Sequence, residues 1–156
     1  MNKIDKKSIF YIILGIFLLI IDQIVKINIK DNMTVGDSIK VVNDFFSITY
    51  VQNKGAAFGI LQNQKFLFLI IGIVMILGLI YMFIKDEDKI TRLSITMIIS
   101  GALGNIVDRL RYGYVVDMFD FHAIWSYVFN VADICVVLGI ILMSIRVFTD
   151  RKKNLI

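Results

Sequence analysis

From Phe66 to Ile84 the chain runs without a charge, a proline or a long polar side chain, about the length of helix needed to cross the hydrocarbon of a bilayer. In lipid the backbone must satisfy its own hydrogen bonds, so such a run can only be a spanning helix. Three other apolar stretches are too short to cross alone: Ile9 to Ile21, Leu93 to Val107 and Ile134 to Ile145. Each must recruit polar neighbours. The first extends through Asp22 and Lys26, the third through Asn105, Asp108 and Arg109, and the fourth backwards through Asp133 and Asn130. The spacing predicts helices over about 9–29, 66–84, 93–111 and 127–147, an all-α membrane bundle in one domain covering 1–156.

Composition agrees: 58% of the 156 residues are hydrophobic and the mean hydropathy is +0.77, well above an average soluble domain. The net charge of +4 reads as topology rather than as affinity for nucleic acid. Short segments carrying Lys3, Lys6 and Lys7, then Lys85, Lys89 and Arg92, then Arg146, Arg151, Lys152 and Lys153 share one side, so the positive-inside rule places both termini in the cytoplasm. The amino end has the charge pattern of a secretory signal, but Asp22-Gln23-Ile24-Val25-Lys26 stands where a small-residue cleavage site belongs, so an uncleaved first helix is expected.

That orientation sends Asp22, the loop after it, Asp108-Arg109 and Asp133 to a single outer face. The loop itself has strand character at Ile39–Val42 and Phe45–Val51 around the turn pair Asn43-Asp44, which predicts a small β-cradle over about 36–60. Asn53-Lys54-Gly55-Ala56-Ala57-Phe58-Gly59 follows, with small residues suited to close backbone approach.

Ionisable groups at membrane depth are costly and rare. Asp22 and Lys26 are one helical turn apart in the favourable acid-before-base order; they read as a snorkelling interfacial pair or as a brace around a site. Asp108 and Arg109 cannot share a face, so each needs another partner. Ser100 and Gly104 allow close helix packing. Asn105 and Asn130 are amides that must find hydrogen bonds and can donate them to a peptide.

Asp117 and Asp133 carry the sharpest chemistry. Two carboxylates close together in low dielectric cannot both ionise, so one can serve as base on a water while the other, protonated, donates to a scissile carbonyl. Peptide hydrolysis then needs neither metal nor cofactor. The plain alternative is a pair of solvated loop acids, with Asp120 as a competitor for the second place. A metal held by Asp117, Asp120 and His122 has a weak donor set, and the single histidine leaves serine catalysis without its usual base. Cys135, the only cysteine, lies in an apolar run and reads as a buried, inert thiol. Trp125 and Tyr127 look like interface anchors. The same two acids suit a proton relay, so a small proton-coupled transporter stands as the alternative function.

Five motifs, in order, cover nearly the whole chain: Asp22-Gln23-x-x-Lys26; Asn53-x-Gly55-Ala56-Ala57-Phe58-Gly59; Gly101-Ala102-Leu103-Gly104-Asn105-x-x-Asp108-Arg109; Val115-Val116-Asp117; and Phe129-Asn130-x-Ala132-Asp133. Together they resemble the bacterial lipoprotein (type II) signal peptidases. The resemblance implies four spanning helices with an outer-leaflet β-cradle, in the bacterial cytoplasmic membrane, acting on lipid-modified prolipoproteins just before the diacylglyceryl cysteine. It implies Asp117 and Asp133 as catalytic dyad, and Asn53, Asn105, Arg109 and Asn130 as substrate-binding or bracing residues. Asp22, Lys26, Asp108, Gly55, Gly104 and Ala132 become structural support. The implied partners are prolipoprotein substrates and membrane lipids; the basic tail Arg151-Lys152-Lys153 reads as an orientation signal, so no nucleic acid is expected, and the chain is expected to be a monomer. Ser100 and Met118 stand where the family commonly has Gly and Phe, no proline precedes Phe129, and Ile134 replaces a frequent serine.

Overall fold

The computed structural model describes residues 6–55, 64–124 and 127–153. The long apolar runs form four helices: α1 (Lys6–Asn32), α2 (Lys65–Lys85), α3 (Lys89–Tyr112) and α4 (Val131–Lys153). All four are long and apolar enough to cross a membrane. Helix α3 is the axle, with just over half of its apolar window buried, whereas the other three have between a tenth and a sixth of theirs buried and present Ile, Leu, Val and Phe outwards. An apolar rim around a partly polar centre suits a bilayer.

The first and third helices run one turn or so further than the apolar stretches imply, since Ser, Thr, Lys and Arg at their ends continue the helical backbone. Helix α3 starts at Asp88, whose carboxylate accepts from the backbone N–H groups of Ile90 and Thr91, and stops at Gly113 with φ of 84°, a left-handed cap that glycine adopts without strain. Asp88 lies between two spans and also pairs with Arg146 Nε at 2.9 Å. The Thr91 N–H bond and the Arg146 contact hold its carboxyl at about 2.

Two differences from the sequence reading shape the end of the bundle that carries the sheet. The stretch 127–130 is not helical: Val128–Phe129 forms strand β4 and α4 begins at Val131. The reason is local, because Asn130 caps α4. Its Oδ1 accepts from Asp133 N at 2.9 Å, while Asp133 Oδ2 accepts from Asn130 N at 3.2 Å, a reciprocal capping box. Second, the cradle draws on more than the first loop. It is one antiparallel sheet in the order β1 (Ser38–Val42), β2 (Phe46–Asn53), β3 (Val115–Asp120), β4 (Val128–Phe129). Asp117 therefore sits on a strand, not at a helix end. The run around it is apolar on both faces, so its pattern alone does not separate strand from helix. Positions 56–60 of the expected cradle, and Trp125, lie outside the described residues.

One face of β2 and β3 buries Tyr50, Val116 and Met118 against Val25, Ile29 and Met33. This anchors the sheet on the C-terminal end of α1. On the opposite flank of the bundle α2 meets α3 through Leu69, Ile76 and Ile106. Towards the other end, α1, α2 and α3 line a cleft of about 700 Å³ that includes Gly15, Phe83, Arg92 and Ser100.

Candidate active site

Where α1, α3, the start of α4 and strand β3 converge, the polar residues form two connected tiers. The lower tier is ionic. Lys26 Nζ lies 3.0 Å from Asp22 Oδ2 and 3.1 Å from Asp108 Oδ2, with all three side chains no more than 2% exposed. The remaining lone pairs are used: Ala132 N donates to Asp22 Oδ1 at 2.8 Å and Val116 N to Asp108 Oδ2 at 3.0 Å. Gln23 Nε2 bridges Asp22, Asp108 and the Gly104 carbonyl. This saturation is what a buried ion cluster needs if pairing is to offset desolvation. It also ties α1 to α3, to the start of α4 and to β3.

Close backbone approach makes the tier possible. A Cβ built at Gly101 would lie 2.2 Å from the Ala132 carbonyl oxygen, and one at Gly104 2.4 Å from Asp22 Oδ2. Ser100 does more than leave room, since its hydroxyl donates to Gly15 O across the α1–α3 contact at 2.9 Å.

The upper tier holds Asp117 and Asp133. Asn105 joins the tiers: its Oδ1 accepts from Lys26 Nζ at 2.9 Å, so its amide nitrogen faces the other way and donates to Asp133 Oδ1 at 2.8 Å. Lys26 has no acceptor, so it fixes which end of the Asn105 amide faces Asp133. Asn130 touches both acids. Its Nδ2 donates to Asp117 Oδ1 at 2.6 Å and its backbone N–H to Asp133 Oδ2 at 3.2 Å. The second oxygen of Asp117 accepts from Asn53 Nδ2 at 3.0 Å. Burial, and after it the charge of Asp133, pushes the Asp117 carboxyl up to about 7.

Arg109 makes no direct ion pair among the described residues. Its guanidinium donates to Gly55 O at 3.1 Å and lies 4.9 Å over the Phe68 ring. Gly55 N in turn donates to Asn53 Oδ1 at 2.9 Å, so Arg109 fixes the end of β2 that presents Asn53 to Asp117. Asp120 points to the other side of β3, where its Oδ2 accepts from Thr49 Oγ1 at 3.0 Å and its Oδ1 lies 3.9 Å from His122 Nδ1. Asp117, Asp120 and His122 do not assemble a metal-ligating group among the described residues. Cys135 is buried and free.

All twelve site residues expected from the sequence gather in this region. Gln23 and Phe68 were not among them. Gln23 lay within a quoted motif, and only its three-way contact reveals its part. Ala56, Ala57, Phe58 and Gly59 lie outside the described residues.

Comparison with known proteins now bears on the site. The family model described as Signal peptidase (SPase) II matches residues 14–149. The chain belongs to the signal peptidase II family. The lipoprotein signal peptidase of Clostridioides difficile is 44% identical over 92% of this chain and 98% of its own length. That of Fusobacterium nucleatum is 42% identical over 94% and 92%. A solved bacterial membrane enzyme superposes with a TM-score of 0.87 at 38% identity, covering 92% of this chain and 90% of that one, and a second gives 0.82 at 38% identity over 90% and 94%. This signal peptidase II family member is thus a multi-pass bacterial membrane peptidase, and none of these likenesses favours transport.

Proposed function

We propose that the chain is an aspartyl endopeptidase that removes the signal peptide from diacylglyceryl-modified prolipoproteins, cutting before the lipid-bearing cysteine, with Asp117 and Asp133 as its dyad. The observation that carries this is the shared Asn130, which contacts both carboxylates, beside a raised Asp117. Protonated Asp117 donates to the scissile carbonyl oxygen while ionised Asp133 takes a proton from the attacking water. The tetrahedral intermediate collapses as Asp133 returns that proton to the departing amine and Asp117 recovers its own. Asn105 and Asn130 hold Asp133; Asn53 and Asn130 hold Asp117. Arg109 acts through Gly55 on Asn53. Asp22, Lys26, Asp108, Gly104 and Ala132 brace the floor.

Lysine and arginine placement supports cytoplasmic termini and a site at the outer face. The proposed enzyme works as a monomer with membrane lipid around it. The test is cleavage of diacylglyceryl-modified and unmodified prolipoprotein by the purified protein in micelles, with Asp117→Asn and Asp133→Asn beside the wild type. The modified substrate alone should be cut, and by the wild type alone. Full activity in either variant would sink the dyad.

A further inference from the structure

On the sheet face that carries Asp117, five phenylalanines adjoin one another and lead away from the two acids. Strand alternation puts Asp117 and Phe119 on the same side of β3, with Phe121 continuing beyond it. Phe129 is the direct cross-strand partner of Phe119, and Ile48 is its partner on β2. The bulge between Ile48 and Val51 keeps both of them on this face, opposite Phe119 and Asp117; Ile48 and Phe119 also pack against the buried cluster of Tyr50, Val116 and Met118. Phe121 is the hub. Its ring centroid lies 4.5 Å from Phe46, 5.7 Å from Phe45 and 5.8 Å from Phe129. Phe119 adds contacts to Phe46 at 6.4 Å and Phe129 at 5.8 Å.

Three features mark this platform as a seat for hydrocarbon. It is continuous with the site: Phe119 lies two residues beyond Asp117, and Phe129 immediately precedes Asn130, the residue touching both acids. Its rings are not sealed, since Phe46, Phe119, Phe121 and Phe129 are half-buried and Phe45 is 39% exposed. Among the described residues, every ring of this cluster is phenylalanine. Residues that anchor a protein at the membrane surface are typically Trp and Tyr, whose polar tips face water, whereas an all-phenylalanine surface offers nothing but apolar contact. Strand rise carries the line from Asp117 to Phe121 over roughly 13 Å, long enough for a good part of an extended fatty chain.

We infer that Phe46, Phe119, Phe121 and Phe129 seat an acyl chain of the substrate's diacylglyceryl group, with Phe45 at the rim. The inference rests on the proposed cleavage before a lipid-bearing cysteine, because only then is a fatty chain tethered to the residue next to the scissile bond. The platform thereby selects lipid-modified substrate and fixes which side of the peptide faces the acids.

The test compares kcat/KM for prolipoprotein peptides whose cysteine carries diacylglyceryl groups with eight-carbon or sixteen-carbon chains. The wild type should prefer the longer chain, and Phe121→Ser should cut that preference by about tenfold, the worth of one apolar ring contact. Phe121→Leu should restore most of it. An unchanged preference in a folded Phe121→Ser protein overturns the inference, as does a wild type that cuts both peptides equally well. The second outcome leaves the peptidase reading intact; a wild type that cuts no lipidated peptide overturns that reading as well. If Phe121→Ser does not accumulate, the chain is followed directly in Asp133→Asn protein with a diazirine at its end. Labelling of β2, β3 or β4 supports the seat, and labelling confined to α2 and α4 overturns it.

Discussion

Replacing Gly101 by alanine isolates the link between helix packing and the placement of Asp133. By propensity alone the change favours a helix, by about 1 kcal/mol. The structure reverses that sign. The new methyl would lie 2.2 Å from the Ala132 carbonyl oxygen, 2.7 Å from Val136 Cγ2 and 3.1 Å from the Ala132 carbonyl carbon. Carbon–oxygen contacts in close-packed helices settle near 3.3 Å, so α4 must retreat by about 1 Å at its first turn. Backbone cannot rotate away as a flexible side chain would, and overpacking of this kind costs about 1–3 kcal/mol. The same turn donates Ala132 N to Asp22 and carries Asp133 one residue on. A displacement of about 1 Å at a reacting group costs on the order of 100-fold in rate. We therefore expect Gly101→Ala to lower kcat/KM on lipidated peptide by about that factor, and to lower the thermal midpoint in detergent by several degrees. Gly78→Ala, where an added methyl meets nothing within 4 Å, should do neither. A Gly101→Ala enzyme with wild-type kcat/KM and midpoint would show that the α3–α4 contact does not set the position of Asp133.

Lys26→Met leaves Asp22 and Asp108 buried together without their cation, which should cost about 3–5 kcal/mol and appear as raised protease sensitivity in detergent. Adding Asp22→Asn and Asp108→Asn to Lys26→Met should recover stability yet leave kcat low, since Asn105 has lost the lysine that orients it; recovery of both would remove that role. Asp117 is an acid whose folded value, about 7, stands above its unfolded one. Its contribution to stability is therefore full below pH ~4 and lost as pH rises towards ~7, by at most about 4 kcal/mol. Thermal midpoints measured from pH 5 to 8 should fall in the wild type and flatten in Asp117→Asn. The rate should decline above pH ~7 as the pair loses its shared proton, and a profile level to pH 9 would contradict that. Asn130→Ala removes a helix cap worth about 1 kcal/mol along with a donor to Asp117, so activity should drop far more than the midpoint. Equal mild losses in both would reduce Asn130 to a cap.

What the sequence made legible follows from how each element is stabilised. Phe66 to Ile84 must be a spanning helix by solvation alone, and the shortness of the other three runs correctly forced Asp22, Lys26, Asn105, Asp108, Arg109 and Asp133 to one end of the bundle. The family motifs then named the polar residues that meet there. Secondary structure around Asp117 was harder to read, because Tyr114 to Phe119 is apolar on both faces: Val116 and Met118 serve the buried side, whereas Phe119 lies on the side of the acid. An apolar run of that length can be strand or helix, and only pairing with β2 decides it. The start of α4 was misplaced for a related reason. Val128 and Phe129 have the hydropathy of a helix, but the Asn130–Asp133 capping box sets the boundary after them. That box also explains why two functional demands fall on one motif. The asparagine that ends β4 and begins α4 is the residue that reaches Asp117, so the turn from sheet to helix and the approach of the two acids are a single structural event. A substitution at Asn130 cannot alter one without the other.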